Sequence, residues 1–234
     1  MDLREVGFTD PETHWYYQSK LKAISQILSP YLKDVTHIMD VGAGSGFFSR
    51  SLVSLGHARY ATCIDSNYKN DSTNAESGVS YLRMPPDNRV ADLYLFMDVL
   101  EHVQDDLGLL QDYVNESPPR SLFLVTVPAF KYLWGKHDVF LGHYRRYSIK
   151  TLNSVVERTG LEVVKSRYLY ASLVPVRFIA NLLDLFAPKS RNKNHLSSVP
   201  DALNSILQNY FITENSLLSG RKFGLTVALL AIKS

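Results

Sequence analysis

A chain that passes from an apolar strand directly into a glycine-rich turn and then a helix has few folds open to it. Residues 36–50, THIMDVGAGSGFFSR, do this. Ile38, Met39 and Val41 form the apolar run, Gly42, Gly44 and Gly46 the turn, and Phe47 with Phe48 opens a helical pattern. Strand, glycine turn and helix bring backbone N–H groups up to a ligand at the carboxyl edge of a parallel sheet. The glycines are spaced G-x-G-x-G, whereas dinucleotide sites want G-x-G-x-x-G. An acid, Asp40, stands two residues before the first glycine. A carboxylate there does nothing for a pyrophosphate but favours a ligand with an ammonium group. A turn that binds nothing is the alternative, and the motif alone does not separate the two.

The rest of the chain alternates strand and helix. Asp10-Pro11-Glu12 reads as a helix start, with Leu21, Ile24, Ile27, Leu28 and Tyr31 following at helical spacing, so residues 10–33 are expected to form an N-terminal helix. After the glycine turn, Phe48, Leu52 and Leu55 give a helix face that stops at Gly56. Strands are expected over 60–64, 79–84, 91–97, 121–127, 161–170 and 223–232, with a weak helix signal in the polar stretch 66–77. Residues 91–97, ADLYLFM, are apolar almost throughout, as a central parallel strand covered on both faces should be. Asp105 and Asp106 cap the next helix, and another closes at Gly160. The expectation is an α/β doubly wound sheet in one domain of 234 residues. A net charge of +2 gives no general case for nucleic acid. The lone Cys63 excludes an internal disulfide and a cysteine zinc cluster. The first ten residues lack the pattern of a signal peptide, which points to a cytoplasmic protein.

The run Asp40-x-Gly42-x-Gly44-x-Gly46 resembles motif I of the class I S-adenosylmethionine-dependent methyltransferases, and Asp98-Val99-Leu100-Glu101-His102-Val103 resembles the segment after their fourth strand. The resemblance covers most of residues 12–170 and 222–233. It implies a Rossmann-like sheet of seven strands whose last strand is inserted antiparallel beside the sixth. It also implies S-adenosylmethionine as cofactor, held by Asp40, Gly42, Ala43, Gly44, Gly46 and Phe47, with Asp65 and Ser66 at the ribose. Asp98, Val99, Leu100 and His102 would line its methionine end. In the stretch HWYYQSK, Tyr17 and Lys20 either seal the first helix or form a flap, with Lys20 near the cofactor's carboxylate. The family's adenine-binding acid is missing: the chain reads Leu82-Arg83-Met84, so Asp87 or a backbone carbonyl would serve, with Met84 packing on the ring.

The acceptor is expected at residues 128–147, PAFKYLWGKHDVFLGHYRRY, which follow the fifth strand at the same sheet edge. Lys131, Lys136, Arg145, Arg146 and Lys150 outnumber Asp138, and such a cluster attracts an anionic small molecule. His137, Asp138, His143, Arg145, Arg146 and Tyr147 are the candidate acceptor-facing residues, with histidine suited to take a hydroxyl proton. A metal is not expected, because His137 and His143 lack a third ligand nearby in sequence. The stretch LWxxHDxxLGHYRRY resembles bacterial methyltransferases associated with glycan and lipid biosynthesis. Residues 172–220 exceed what the core requires and read as a helical lid, ahead of a dimer surface or an interfacial membrane helix backed by the basic PKSRNKNH. The reading is O-methylation of a small acceptor, and its rivals are a non-catalytic cofactor-binding scaffold and a nicotinamide oxidoreductase. Oligomeric state is not legible.

Overall fold

A computed structural model of the chain describes residues 10–186, 199–217 and 222–234. Its strands are β1 (His37–Val41), β2 (Tyr60–Ile64), β3 (Ser72–Asn74), β4 (Val79–Leu82), β5 (Leu93–Met97), β6 (Leu122–Pro128), β7 (Leu161–Leu169) and β8 (Thr226–Lys233). They form one sheet in the order β3-β4-β2-β1-β5-β6-β8-β7. Strands β4, β2, β1, β5 and β6 run parallel, while β8 lies antiparallel between β6 and β7. The sheet has eight strands instead of seven because 66–77 is not helical. Asn74 Oδ1 accepts the N–H groups of Glu76 and Ser77 at 3.1 Å, reversing the chain so that β3 pairs antiparallel on β4 as an exposed edge.

The alternation of side chains along the strands divides the core. Ile38, Leu93, Leu95 and Leu124 face α1 (Trp15–Leu28) and α2 (Phe47–Ser54). Met39, Tyr94, Phe96, Phe123 and Val125 face α3 (Asp106–Glu116) and, beyond a short α4 (Lys136–Leu141), α5 (Ile149–Arg158). Every residue of β5 is buried, which is why its sequence shows no polar alternation. The first helix begins later than its acids suggest. Asp10 accepts the Glu12 N–H at 3.0 Å and holds a turn, and α1 starts at Trp15 under a His14 cap.

Between β7 and β8 lie α6 (Leu173–Phe186) and α7 (Asp201–Leu217). Helix α7 packs on α1: Trp15 stacks on Phe211 with centroids 4.8 Å apart, and Asn204 accepts the Trp15 N–H at 2.9 Å. The basic run 188–195 lies outside the described residues. Among those described, no helix is long and apolar enough to cross a membrane.

Candidate active site

The glycine turn is held by contacts that leave no room for side chains. Gly42 has φ +66° and a Cβ on it would stand 2.8 Å from Val99 Cγ2; Gly46 has φ +69° and its Cβ would stand 2.7 Å from Tyr81 Cε1. A left-handed backbone and a filled neighbourhood both demand glycine. The Ala43 N–H donates to Ile64 O at 3.0 Å, tying the turn to β2. Asp65, at the end of β2, accepts the Gly44 N–H at 2.9 Å and the backbone and side-chain N–H groups of Asn67 at 2.9 and 3.0 Å. This acid therefore closes the turn whether or not a ribose is present.

Asp40 is buried under the turn. Ser49 donates to its Oδ2 at 2.6 Å, while Oδ1 has no hydrogen-bond partner. Burial pushes its pKa up to about 6, against the opposing pull of the Ser49 bond. Phe47 is buried among Tyr17 and Phe48, and Ser66 is exposed. Met84 is 71% exposed, so it has an open face but no packed surroundings.

Asp98 joins the turn to the adjoining cavity. It sits just past β5 with φ 55°, a conformation that costs a non-glycine residue energy and that persists where surrounding contacts over-determine it. Thr126 donates to its Oδ1 at 3.1 Å, and Lys20, fully buried, makes an ion pair with Oδ2. Burial pushes the Asp98 pKa up, but the Lys20 charge outweighs it and holds the carboxyl below its usual range. The Lys20 ammonium is thus committed to Asp98. Tyr17 is packed into the core, 1% exposed.

The cavity, of about 300 Å³, opens at the carboxyl ends of β5 and β6. Trp15, Tyr16 and Tyr17 form one wall, and Asp98, Glu101 and His102 the inner end. His137, His143 and Arg146 come from the segment after β6, and Leu173, Val176, Arg177 and Ala180 of α6 face them. Asp138 lies behind this wall with no exposed side chain. Its Oδ1 is 2.9 Å from His143 Nδ1 and accepts Arg146 Nε–H at 2.7 Å; Oδ2 accepts the Gly135 N–H at 2.9 Å and an Arg177 Nη2–H at 3.3 Å. Burial raises the Asp138 pKa, yet the bonds from His143 and Arg146 prevail and hold the carboxyl well below the usual range.

The expected acceptor-facing set therefore divides. His137, His143 and Arg146 line the cavity, and Asp138 orients the latter two. Arg145 and Tyr147 do not line it: both turn to Asp106, Arg145 at 2.7 Å from Oδ1 and the buried Tyr147 hydroxyl donating to Oδ2 at 2.7 Å. Alternation explains why Arg145 and Tyr147 part from Arg146, since neighbours in an extended segment face opposite sides. Burial and the Asp106 bond push the Tyr147 pKa up, so it stays a neutral donor. Leu100 likewise belongs to the core beneath the site, with no exposed surface. Glu101 was not singled out by sequence. It is 1% exposed, its Oε2 has no hydrogen-bond partner, and burial, then the charge of Asp98, pushes its pKa well up. The available signal was an acid inside an otherwise apolar run, Val99-Leu100-Glu101.

A parallel sheet with an antiparallel strand between β6 and β7, a glycine turn after β1 and acids at the ends of β2 and β5 define the S-adenosylmethionine-dependent methyltransferase fold. A family described as methyltransferase domain matches residues 13–166, and the chain belongs to that family. An uncharacterized methyltransferase from Mycobacterium sp. (strain JLS) is 27% identical over 112 residues, 46% of this chain; the match spans 44% of that relative, less than half its length. Among solved structures, a SAM-dependent methyltransferase from Archaeoglobus fulgidus superposes with TM-score 0.53 at 15% identity, covering 92% of this chain and 94% of its own. A Haemonchus contortus phosphoethanolamine N-methyltransferase, in complex with phosphomonomethylethanolamine and S-adenosylhomocysteine, gives 0.53 at 13% identity, covering 91% of this chain and 52% of its own.

Proposed function

We propose that this protein transfers the methyl group of S-adenosylmethionine to an oxygen nucleophile on a small anionic molecule held in the cavity. The observation that carries the reading is the junction at Asp98–Val99. Val99 packs against the Gly42 position of the turn, and the adjacent Asp98 lines the cavity, so a donor on the turn and an acceptor in the cavity meet there. Asp40 Oδ1, buried without a donor, suits the cofactor's ammonium group. Asp65 retains lone pairs for the ribose hydroxyls. The Arg146 guanidinium lines the cavity beside Asp138, and its positive charge favours an anionic acceptor. Helix α6 supplies one cavity wall and serves as the lid of a single-domain enzyme. A glycan or lipid precursor fits that charge.

In the transfer, the carbon–sulfur bond breaks with its electron pair kept by sulfur, and carbon bonds to the acceptor oxygen as the hydroxyl proton is released. The products are the methylated acceptor, S-adenosylhomocysteine and a proton. The protein's part is mainly to align nucleophile, methyl and sulfur, and positioning alone supplies about 7–11 kcal/mol. Calorimetric titration with S-adenosylmethionine, followed by turnover against hydroxylated phosphates and carboxylates, tests the reading. Cofactor binding without transfer to any acceptor would favour a scaffold. Nicotinamide binding in place of S-adenosylmethionine would overturn it. Asp65→Ala should weaken the cofactor about tenfold or more, since a hydrogen bond to a charged group contributes about 1.5–3 kcal/mol.

A further inference from the structure

Glu101, His102 and His143 converge at the inner end of the cavity. One ligand atom from each lies within 4.8 Å of the other two. Glu101 and His102 sit on a single 3-10 turn (Leu100–His102) after β5, and His143 arrives just past α4. The backbone N–H of Tyr144 donates to the Glu101 carbonyl at 2.7 Å and fixes the two segments together. The two imidazole centroids are 4.6 Å apart. Imidazoles sharing one tetrahedral ion through bonds of about 2.0–2.1 Å hold their centroids about 5 Å apart.

Two further features point to a cation. His143 Nδ1 lies on the Asp138 carboxylate, which leaves Nε2 as its ligating atom and builds the carboxylate–histidine pair that orients ligands at metal centres. Glu101 Oε2 is buried with no donor, and a buried carboxylate oxygen needs a proton or a cation. We infer that Glu101, His102 and His143 form a binding site for a divalent transition-metal cation, with zinc the best match to two imidazoles and one carboxylate. Magnesium and calcium are disfavoured because they take oxygen ligands. Side-chain rotation has to draw the three atoms to about 3.3 Å, the edge of a tetrahedron with such bonds.

Three protein ligands leave one coordination position toward the cavity. An acceptor hydroxyl placed there would be polarised and made easier to ionise. That role rests on the cavity being the acceptor site, whereas the metal site itself does not. Two of its ligands stand after β5, outside residues 128–147.

The test uses the full chain, stripped with a chelator, desalted, and titrated with zinc by calorimetry and with cobalt(II) by visible absorption. One equivalent binding at about micromolar or tighter is expected, with Glu101→Gln and His102→Gln each weakening it about tenfold or more. His137→Gln, a cavity histidine outside the group, should leave the affinity unchanged. Absence of stoichiometric binding by about 100 µM, or full affinity in both ligand variants, would overturn the inference. Calorimetry with S-adenosylmethinione is run on every variant: should Glu101→Gln lose both ligands through misfolding, the partly exposed His102 variant decides. Zinc bound with no S-adenosylmethionine binding in the wild type would sink the proposed function and support the metal site. Equal transfer rates with and without metal would overturn the role assigned to the ion.

Discussion

The glycine turn and the cavity share one edge of the sheet but are built in opposite ways. The turn is mostly backbone: three glycines within five residues, shaped by φ and closed by Asp65. The cavity is mostly side chain, assembled from α1, the turn after β5, the segment after β6, α6 and the start of β8. A site made of consecutive residues tolerates few substitutions and keeps one ligand, whereas a site made from distant segments changes its ligand by exchanging side chains. Damage to one half should therefore leave the other half recognisable.

Asp138→Ala gives the largest expected effect. It strips the carboxylate from two nearly buried guanidiniums and an imidazole, and breaking such a buried cluster costs about 3–5 kcal/mol. Urea unfolding reads the loss, and S-adenosylmethionine affinity of the folded fraction should stay near wild type. A collapse of cofactor binding in that fraction would erase the distinction between the halves. Tyr147→Phe comes next. Losing its bond to Asp106 costs about 1.5–3 kcal/mol of stability. Because the hydroxyl points away from the cavity, transfer rate per folded molecule should not change. A large fall in kcat with unchanged stability would put Tyr147 back at the acceptor.

Gly46→Ala attacks the other half. A left-handed alanine costs about 1–2 kcal/mol, and its Cβ drives into Tyr81. Cofactor affinity should drop by about tenfold or more, as 1.4 kcal/mol is one decade, while zinc titration at Glu101, His102 and His143 stays intact. The smallest effect is a pH dependence. Asp40 without ligand has its pKa raised to about 6, and a bound ammonium group lowers it. Affinity should then be full above pH 6 and weaken as pH falls through 6, by up to about tenfold per unit. Asp40→Asn should flatten the profile, and an unchanged profile in that variant would assign the titration elsewhere.

Most of the fold could be read from sequence because its signals are local. The apolar runs of β1, β5 and β6 and the glycine spacing each lie within a few residues. The edge strand β3 could not, since Ser72, Thr73 and Asn74 carry no apolar pattern and form a strand only because Asn74 turns the chain back onto β4. The same contrast runs through the site. Gly42 and Gly46 announce themselves, but the division of Arg145 and Tyr147 from His143 and Arg146 depends on which way each side chain leaves the backbone. Lys20 reads as a free cation in a one-dimensional list and is a buried partner of Asp98 in three dimensions. Glu101 was hidden because one of the two imidazoles grouped with it, His143, is remote in sequence.

The placement of β8 sets an order on how the sheet can be completed. Strands β6 and β7 share no ladder; each pairs with β8, which bonds to both along most of its length. Until β8 arrives, β6 presents an unpaired edge next to a fully apolar neighbour, and β7 has no place in the sheet. Contacts closed over such sequence separations form slowly, and an open apolar strand edge is a template for other chains. Newly made molecules should thus pass through an aggregation-prone stage that ends only when β8 docks, and chaperone dependence during synthesis should track that one docking event.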